Sequence, residues 1–251
     1  MTAVLKGRAA LVTGSTNGIG QGVAQALAAA GAHVIVHGRD TERGSRVVDG
    51  ITAAGGAAGF LAADLAEGAG AVTRLAARAA ELAGGPIDIL VNNAAYLVGQ
   101  TATTATTEAM IDAALAVSVK VPILLTAALV PAMAERGEGV VINMGSINGI
   151  TGMAKTALYS ATKSAVHGLT RALAAEYGPA GIRVNAIAPG PTLTEIAQHH
   201  RAFLDPLIAT LPSRAYSTPA QIGATAVFLA SDDAANIHGA VISVDGGFTA
   251  I

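Results

Sequence analysis

Ala9-Ala10-Leu11-Val12-Thr13-Gly14-Ser15-Thr16-Asn17-Gly18-Ile19-Gly20 joins a short apolar run to three glycines spaced G-x-x-x-G-x-G. The run reads as a strand and the residues from Gly18 onward as a helix. Glycines at a strand-to-helix turn let the main chain bend tightly and approach a pyrophosphate. The helix end then offers free N–H groups and a positive dipole end. A glycine-rich turn without a ligand has the same composition, so its place in the chain must decide.

That place is informative. Apolar runs recur at 9–13, 33–37, 59–63, 87–91, 140–144, 183–188 and 240–244. They lack polar alternation, which fits a parallel sheet covered on both faces. Helix-length segments lie between them, at 18–30, 41–54, 68–83, 107–135 (read as broken), 157–178 and 219–230. The alternation predicts an α/β, doubly wound sheet in a single domain over 1–251. Residues 191–219 break the rhythm with four prolines and adjacent His199 and His200. They are expected to form a substrate lid.

Composition excludes several chemistries. The chain has no cysteine, so disulfides, zinc–thiolate sites and thiol nucleophiles are out. A net charge of −2 leaves no nucleic-acid footprint. Only 13% of residues are charged and 52% are hydrophobic, which points to apolar faces covered by subunit contacts. Lys6 and Arg8 precede an apolar run too short for a signal peptide. The longest uncharged apolar stretch, 121–134, carries two prolines and is too short to span a bilayer. The expectation is a cytoplasmic protein without membrane, nucleic-acid or metal partners; His199 and His200 are read as solvated lid residues.

Thr13-Gly14-x-x-x-Gly18-Ile19-Gly20 resembles the cofactor motif of the short-chain dehydrogenase/reductase family. So do Asn92-Asn93-Ala94-Ala95, Tyr159-x-x-x-Lys163, Pro189-Gly190 and Val244-Asp245-Gly246-Gly247 with the family's later motifs. The resemblance covers essentially the whole chain. It implies a Rossmann domain with a seven-stranded parallel sheet in the order 3-2-1-4-5-6-7. It also implies hydride transfer between a nicotinamide dinucleotide and a carbonyl compound or secondary alcohol. The cofactor would meet Gly14, Ser15, Thr16, Asn17, Gly18, Ile19 and Gly20. It would also meet Asp64 and Leu65, Asn92 and Ala94, Tyr159 and Lys163, and Pro189, Gly190, Thr192 and Thr194. Ala95 stands where the family usually has glycine.

The second strand ends His37-Gly38-Arg39-Asp40. An acid just after this strand bonds a ribose 2′-OH in NAD-binding Rossmann proteins. By the family pattern that position is Gly38, which has no carboxylate to repel a 2′-phosphate. Arg39 can grip such a phosphate through two parallel hydrogen bonds. NADP(H) is therefore favoured over NAD(H). Asp40 as a ribose ligand is the competing reading; as the cap of the next helix it suits Thr41-Glu42-Arg43. Asp64 reads both as adenine contact and as helix cap.

Tyr159 and Lys163 stand four apart in a helical segment and share a face. A nearby ammonium favours the phenolate and lowers the tyrosine pKa, so Tyr159 is expected to exchange a proton with the substrate oxygen. The family adds Ser146, which would hydrogen-bond that oxygen. Ser118 stands where the family most often has asparagine, a position whose carbonyl holds a relay water. Pro122 has no N–H, so the Ser118 carbonyl loses its helical donor and is left for water. Ser118 also motivates a rival reading, a cofactor-binding protein with weak or no catalysis. Tyr96, Leu97, Ile147, Asn148, Met153, Leu193 and Phe203 are expected around a moderately apolar small-molecule substrate. Family analogy suggests a homotetramer or homodimer through the helices around 107–135 and 157–178 and the last strand.

Overall fold

The structure is a computed structural model and describes residues 3–251. Seven strands form one sheet: β1 (Ala9–Val12), β2 (His33–Gly38), β3 (Ala57–Ala62), β4 (Ile89–Asn92), β5 (Gly139–Met144), β6 (Ile182–Pro189) and β7 (Val241–Val244). All pairings are parallel and the order is β3-β2-β1-β4-β5-β6-β7. Strands β1, β4 and β5 are wholly buried, which is why their sequences are unbroken apolar runs. Their residues alternate between the two faces. Ala10, Val12, Ile89 and Val91 join one core layer; Leu11, Leu90 and Val141 join the other.

The first layer is covered by α1 (Gly18–Ala29), α2 (Thr41–Ala53) and α9 (Pro219–Ala230) through Val23, Leu27, Ile51, Ile222 and Leu229. The second is covered by α3 (Ala69–Ala83), α5 (Val121–Arg136) and α6 (Ala157–Tyr177) through Leu75, Leu125, Met133 and Leu173. Gly22 and Gly223 bring α1 and α9 together backbone to backbone. A Cβ on Gly223 would stand 2.7 Å from the Gly22 carbonyl oxygen.

The segment read as broken near 107–135 runs on instead as a distorted helix. It comprises α4 (Glu108–Leu115), a π-helical turn over Ala116–Lys120, and α5. Pro122 accounts for the distortion: it cannot donate to Ser118, and the Val121 N–H reaches back to Ala116. By length and composition Glu108–Arg136 could cross a membrane, but it packs on the sheet as a core helix does. Inside the proline-rich segment two short helices appear, α7 (Glu195–His199) and α8 (Arg201–Ile208). Pro206 lies inside α8.

Candidate active site

The strand order reverses between β1 and β4, opening a crevice at their carboxyl ends. The glycine turn lies there. Gly14 has φ +63° and Gly18 φ +54°, conformations that favour glycine. At Gly20 a Cβ would come within 2.3 Å of the Gly14 carbonyl oxygen. Asn93 pins the turn: its Nδ2 donates to the carbonyls of Thr13 (2.8 Å) and Gly14 (2.9 Å). The Thr13 hydroxyl accepts from the main-chain N–H groups of Asn93 and Ala94. Side chains cap α2, α4, α7 and α9, but Asn17 makes no cap bond to α1. The first N–H groups of α1 are thus left to a ligand, and the cradle fits a dinucleotide pyrophosphate. Ile19 packs its side chain against the core, so only its backbone joins the cradle.

Three expected cofactor residues have their side chains engaged within the protein. Asn92 turns into the sheet, where its Nδ2 donates to Asn143 Oδ1 at 2.9 Å. Successive strand residues face opposite ways, and Asn93 takes the loop side. Leu65 packs its side chain into the core, leaving only its backbone toward the crevice. Thr192 is buried and donates its hydroxyl to the Gly190 carbonyl at 2.9 Å. Thr194, by contrast, caps α7 and sits over the glycine turn, 3.5 Å from where a Gly18 Cβ would be.

At the end of β2, a Cβ on Gly38 would meet the Thr16 methyl at 2.5 Å. No acid fits at 38 unless Thr16 moves. Arg39 is exposed and faces Asp64 at 3.6 Å. Asp40 caps α2 by accepting from the Arg43 N–H at 3.0 Å, and Asp64 caps the turn after β3 through Ala66.

Ser146 follows β5, and α6 carries Tyr159 and Lys163 over it. Ser146 Oγ accepts from the Asn148 N–H at 3.2 Å and also meets the Tyr159 phenol. Lys163 is buried without a carboxylate; its Nζ donates to the Met144 carbonyl at 2.8 Å and lies 5.7 Å from the Tyr159 ring centre. Burial lowers its pKa to about 8. For Tyr159 the expected lowering is reversed. Burial pushes the phenol up, and the Ser146 hydroxyl offsets only part of this. The neutral phenol that results is a proton donor at ordinary pH.

Ser118 is buried in the π-helical turn, and its Oγ accepts from the Tyr96 main-chain N–H at 3.1 Å. The hydroxyl thus holds the loop after β4, while the carbonyl lacks its α-helical donor. His167, one turn beyond Lys163, is buried between Gly145 and Gly149 on either side of the Ser146 turn. Sequence spacing did not single it out, and Asn93 stood within the family-like Asn92-Asn93-Ala94-Ala95 stretch without an assigned role.

The expected substrate residues divide. Ile147 is 4% exposed, in the turn after Ser146 that packs against α6. The Asn148 amide is tied to Thr156 Oγ1 at 3.1 Å. Tyr96, Leu97 and Phe203 are exposed, while Met153 and Leu193 are half-buried. A groove of about 940 Å³ runs between α1 and α9 and meets Asn17, Gly18, Leu193 and Thr194 at one end; Ser146, Tyr159 and Lys163 do not line it. Among the described residues no cluster of three His, Asp or Glu could hold a metal.

Comparison with known proteins agrees with this arrangement. A family model described as enoyl-(acyl carrier protein) reductase matches residues 14–249. D-threitol dehydrogenase of Mycolicibacterium smegmatis is 36% identical over 98% of this chain and 94% of that protein. Galactitol 2-dehydrogenase (L-tagatose-forming) of Cereibacter sphaeroides is 37% identical over 98% and 96%. A solved 3-oxoacyl (acyl-carrier-protein) reductase from Agrobacterium tumefaciens C58 with NADP bound superposes with a TM-score of 0.91 at 36% identity, over 97% of this chain and 95% of that one. A double mutant of a Serratia marcescens short-chain dehydrogenase/reductase does so at 0.92 and 33%, over 98% and 99%. With a matching sheet, glycine turn and Ser146, Tyr159 and Lys163 in one crevice, the chain belongs to the short-chain dehydrogenase/reductase family of oxidoreductases.

Proposed function

We propose that the protein reduces a moderately apolar carbonyl compound with NADPH, or runs the reverse oxidation of a secondary alcohol. The observation that carries this is the Tyr159 ring held 5.7 Å from the buried Lys163 Nζ on α6, the helix that packs against the turn begun by Ser146. When bound, the nicotinamide dinucleotide supplies or accepts the hydride. Ser146 Oγ orients the substrate oxygen by hydrogen bonding. The Tyr159 hydroxyl gives that oxygen its proton, and the Lys163 ammonium steadies the phenolate left behind. The carbonyl of Ser118, free of an α-helical donor, is available to a water that returns the proton. The threitol and galactitol enzymes among the relatives act on polyols; Tyr96, Leu97, Met153, Leu193 and Phe203 suit a less polar substrate here.

NADP(H) is favoured because Gly38 carries no carboxylate, and a side chain there would have to displace Thr16, while Arg39 stands exposed beside it. The NADP-bound relative is consistent with this choice. Fluorescence titration with NADPH and NADH in parallel tests the cofactor. NADPH should bind more tightly, and tighter NADH binding would reverse the assignment. Tyr159→Phe should retain nucleotide binding and lose turnover by about 10²–10⁴-fold. Retained turnover would remove Tyr159 from the chemistry. We also infer a homo-oligomer, since Ile111, Leu115 and Ile123 leave an exposed apolar stripe on the long helix. Light scattering after size exclusion tests this.

A further inference from the structure

We propose that His37 is a positioning residue of the cofactor site, a neutral imidazole that clamps the glycine turn to the end of β3. The inference rests on the dinucleotide reading above and concerns what holds that cradle in shape. His37 is 3% exposed. Its Nδ1 lies 3.2 Å from the Gly14 nitrogen and accepts that N–H. Its Nε2 lies 3.2 Å from the Ala63 carbonyl oxygen. Only one tautomer satisfies both: the proton sits on Nε2, which donates to Ala63, and Nδ1 is the acceptor.

The backbone around the ring adds to the clamp. The His37 N–H donates to Ser15 Oγ at 3.0 Å, and Ser15 Oγ donates to the Val12 carbonyl at 2.7 Å. The Ser15 N–H donates to the His37 carbonyl at 2.8 Å, and the Ala63 N–H to the Gly38 carbonyl at 3.1 Å. One residue therefore ties together the chain ends after β1, β2 and β3. The Gly14 N–H is spent on this link, which divides the labour within the turn. Gly14 anchors it, while the uncapped N–H groups at the start of α1 remain for phosphate. An apolar side chain at 37 would leave a buried N–H and a buried carbonyl unpaired, with Gly14 free to shift.

Three variants separate the two contacts. His37→Leu removes both. His37→Asn keeps an acceptor near the Nδ1 position and His37→Gln a donor near the Nε2 position. Each is measured by NADPH fluorescence titration and steady-state kinetics, with melting curves to show folding. His37→Leu should weaken NADPH binding about tenfold. The rise in KM for NADPH should exceed the fall in kcat, because Ser146, Tyr159 and Lys163 are untouched. His37→Asn and His37→Gln should each fall between wild type and His37→Leu, and they carry the test if His37→Leu does not fold. A lowered melting temperature with unchanged NADPH affinity would overturn the proposal, leaving His37 merely structural. Wild-type affinity in either amide variant would overturn the two-sided clamp. Wild-type protein that binds neither NADPH nor NADH would defeat the dinucleotide reading itself, and this inference with it.

Discussion

Lys163 donates from Nζ to the main-chain carbonyl of Met144 at 2.8 Å, and this neutral oxygen is its recorded hydrogen-bond partner. Burial without a counter-charge holds its pKa to about 8, against 10.5 in water. The ammonium that Tyr159 needs is therefore lost as pH rises through about 8, and carbonyl reduction should decline over that range. A rate that stays level well above this pH would exclude the charge from the mechanism.

The same shift has a stability consequence of definite sign. Between about 8 and 10.5 the unfolded chain holds a proton that the folded chain does not. Stability therefore rises with pH through that window, and at neutral pH the charged lysine costs the fold up to about 3 kcal/mol. Lys163→Met should then be inactive yet more stable than wild type at neutral pH. Each kcal/mol raises the melting temperature by about 2–4 °C. The stranded Met144 carbonyl reduces the gain, and a lower melting temperature would show that the Met144 bond outweighs the charge.

Arg39 faces Asp64 across the mouth of the crevice at 3.6 Å, an exposed pair that holds it weakly. The guanidinium is thus available to a 2′-phosphate. Arg39→Ala should weaken NADPH binding about tenfold or more, with NADH changed by less than about threefold. Equal losses for both nucleotides would mean that Arg39 only shapes the loop.

Asn93 spends its amide on the carbonyls of Thr13 and Gly14. Asn93→Ala leaves both oxygens to water or to nothing. It should cost about 1–3 kcal/mol in urea unfolding. Nucleotide affinity should fall with it, because the glycine turn loses its support. Unchanged stability and affinity together would show that the turn holds its own shape.

His37 has its pKa lowered to about 4, chiefly by burial, with the Ala63 hydrogen bond and the Asp64 charge opposing. In the unfolded chain it titrates near 6.5. Its contribution to stability is complete above 6.5 and is lost as pH falls toward 4, by up to about 3 kcal/mol. His37→Asn should flatten the stability curve across that interval in urea titrations. Parallel curves for variant and wild type would assign the acid sensitivity to another group.

The seven strands, the glycine turn and the pairing of Tyr159 with Lys163 were all visible in one dimension. Buried parallel strands must be apolar throughout, a phosphate turn needs glycine where φ is positive, and a four-residue spacing fixes one helix face. Tertiary packing decided which neighbour of a pair faces the ligand. Asn93 and not Asn92 holds the turn, because β5 supplies Asn143 as a partner on the inner side. Leu65 falls into the core for the same kind of reason: its turn sits over the apolar layer that α3 completes. The protonation states were likewise out of reach of spacing. They depend on how much water each group loses, and only the assembled fold buries Tyr159, Lys163 and His37 deeply enough to move them.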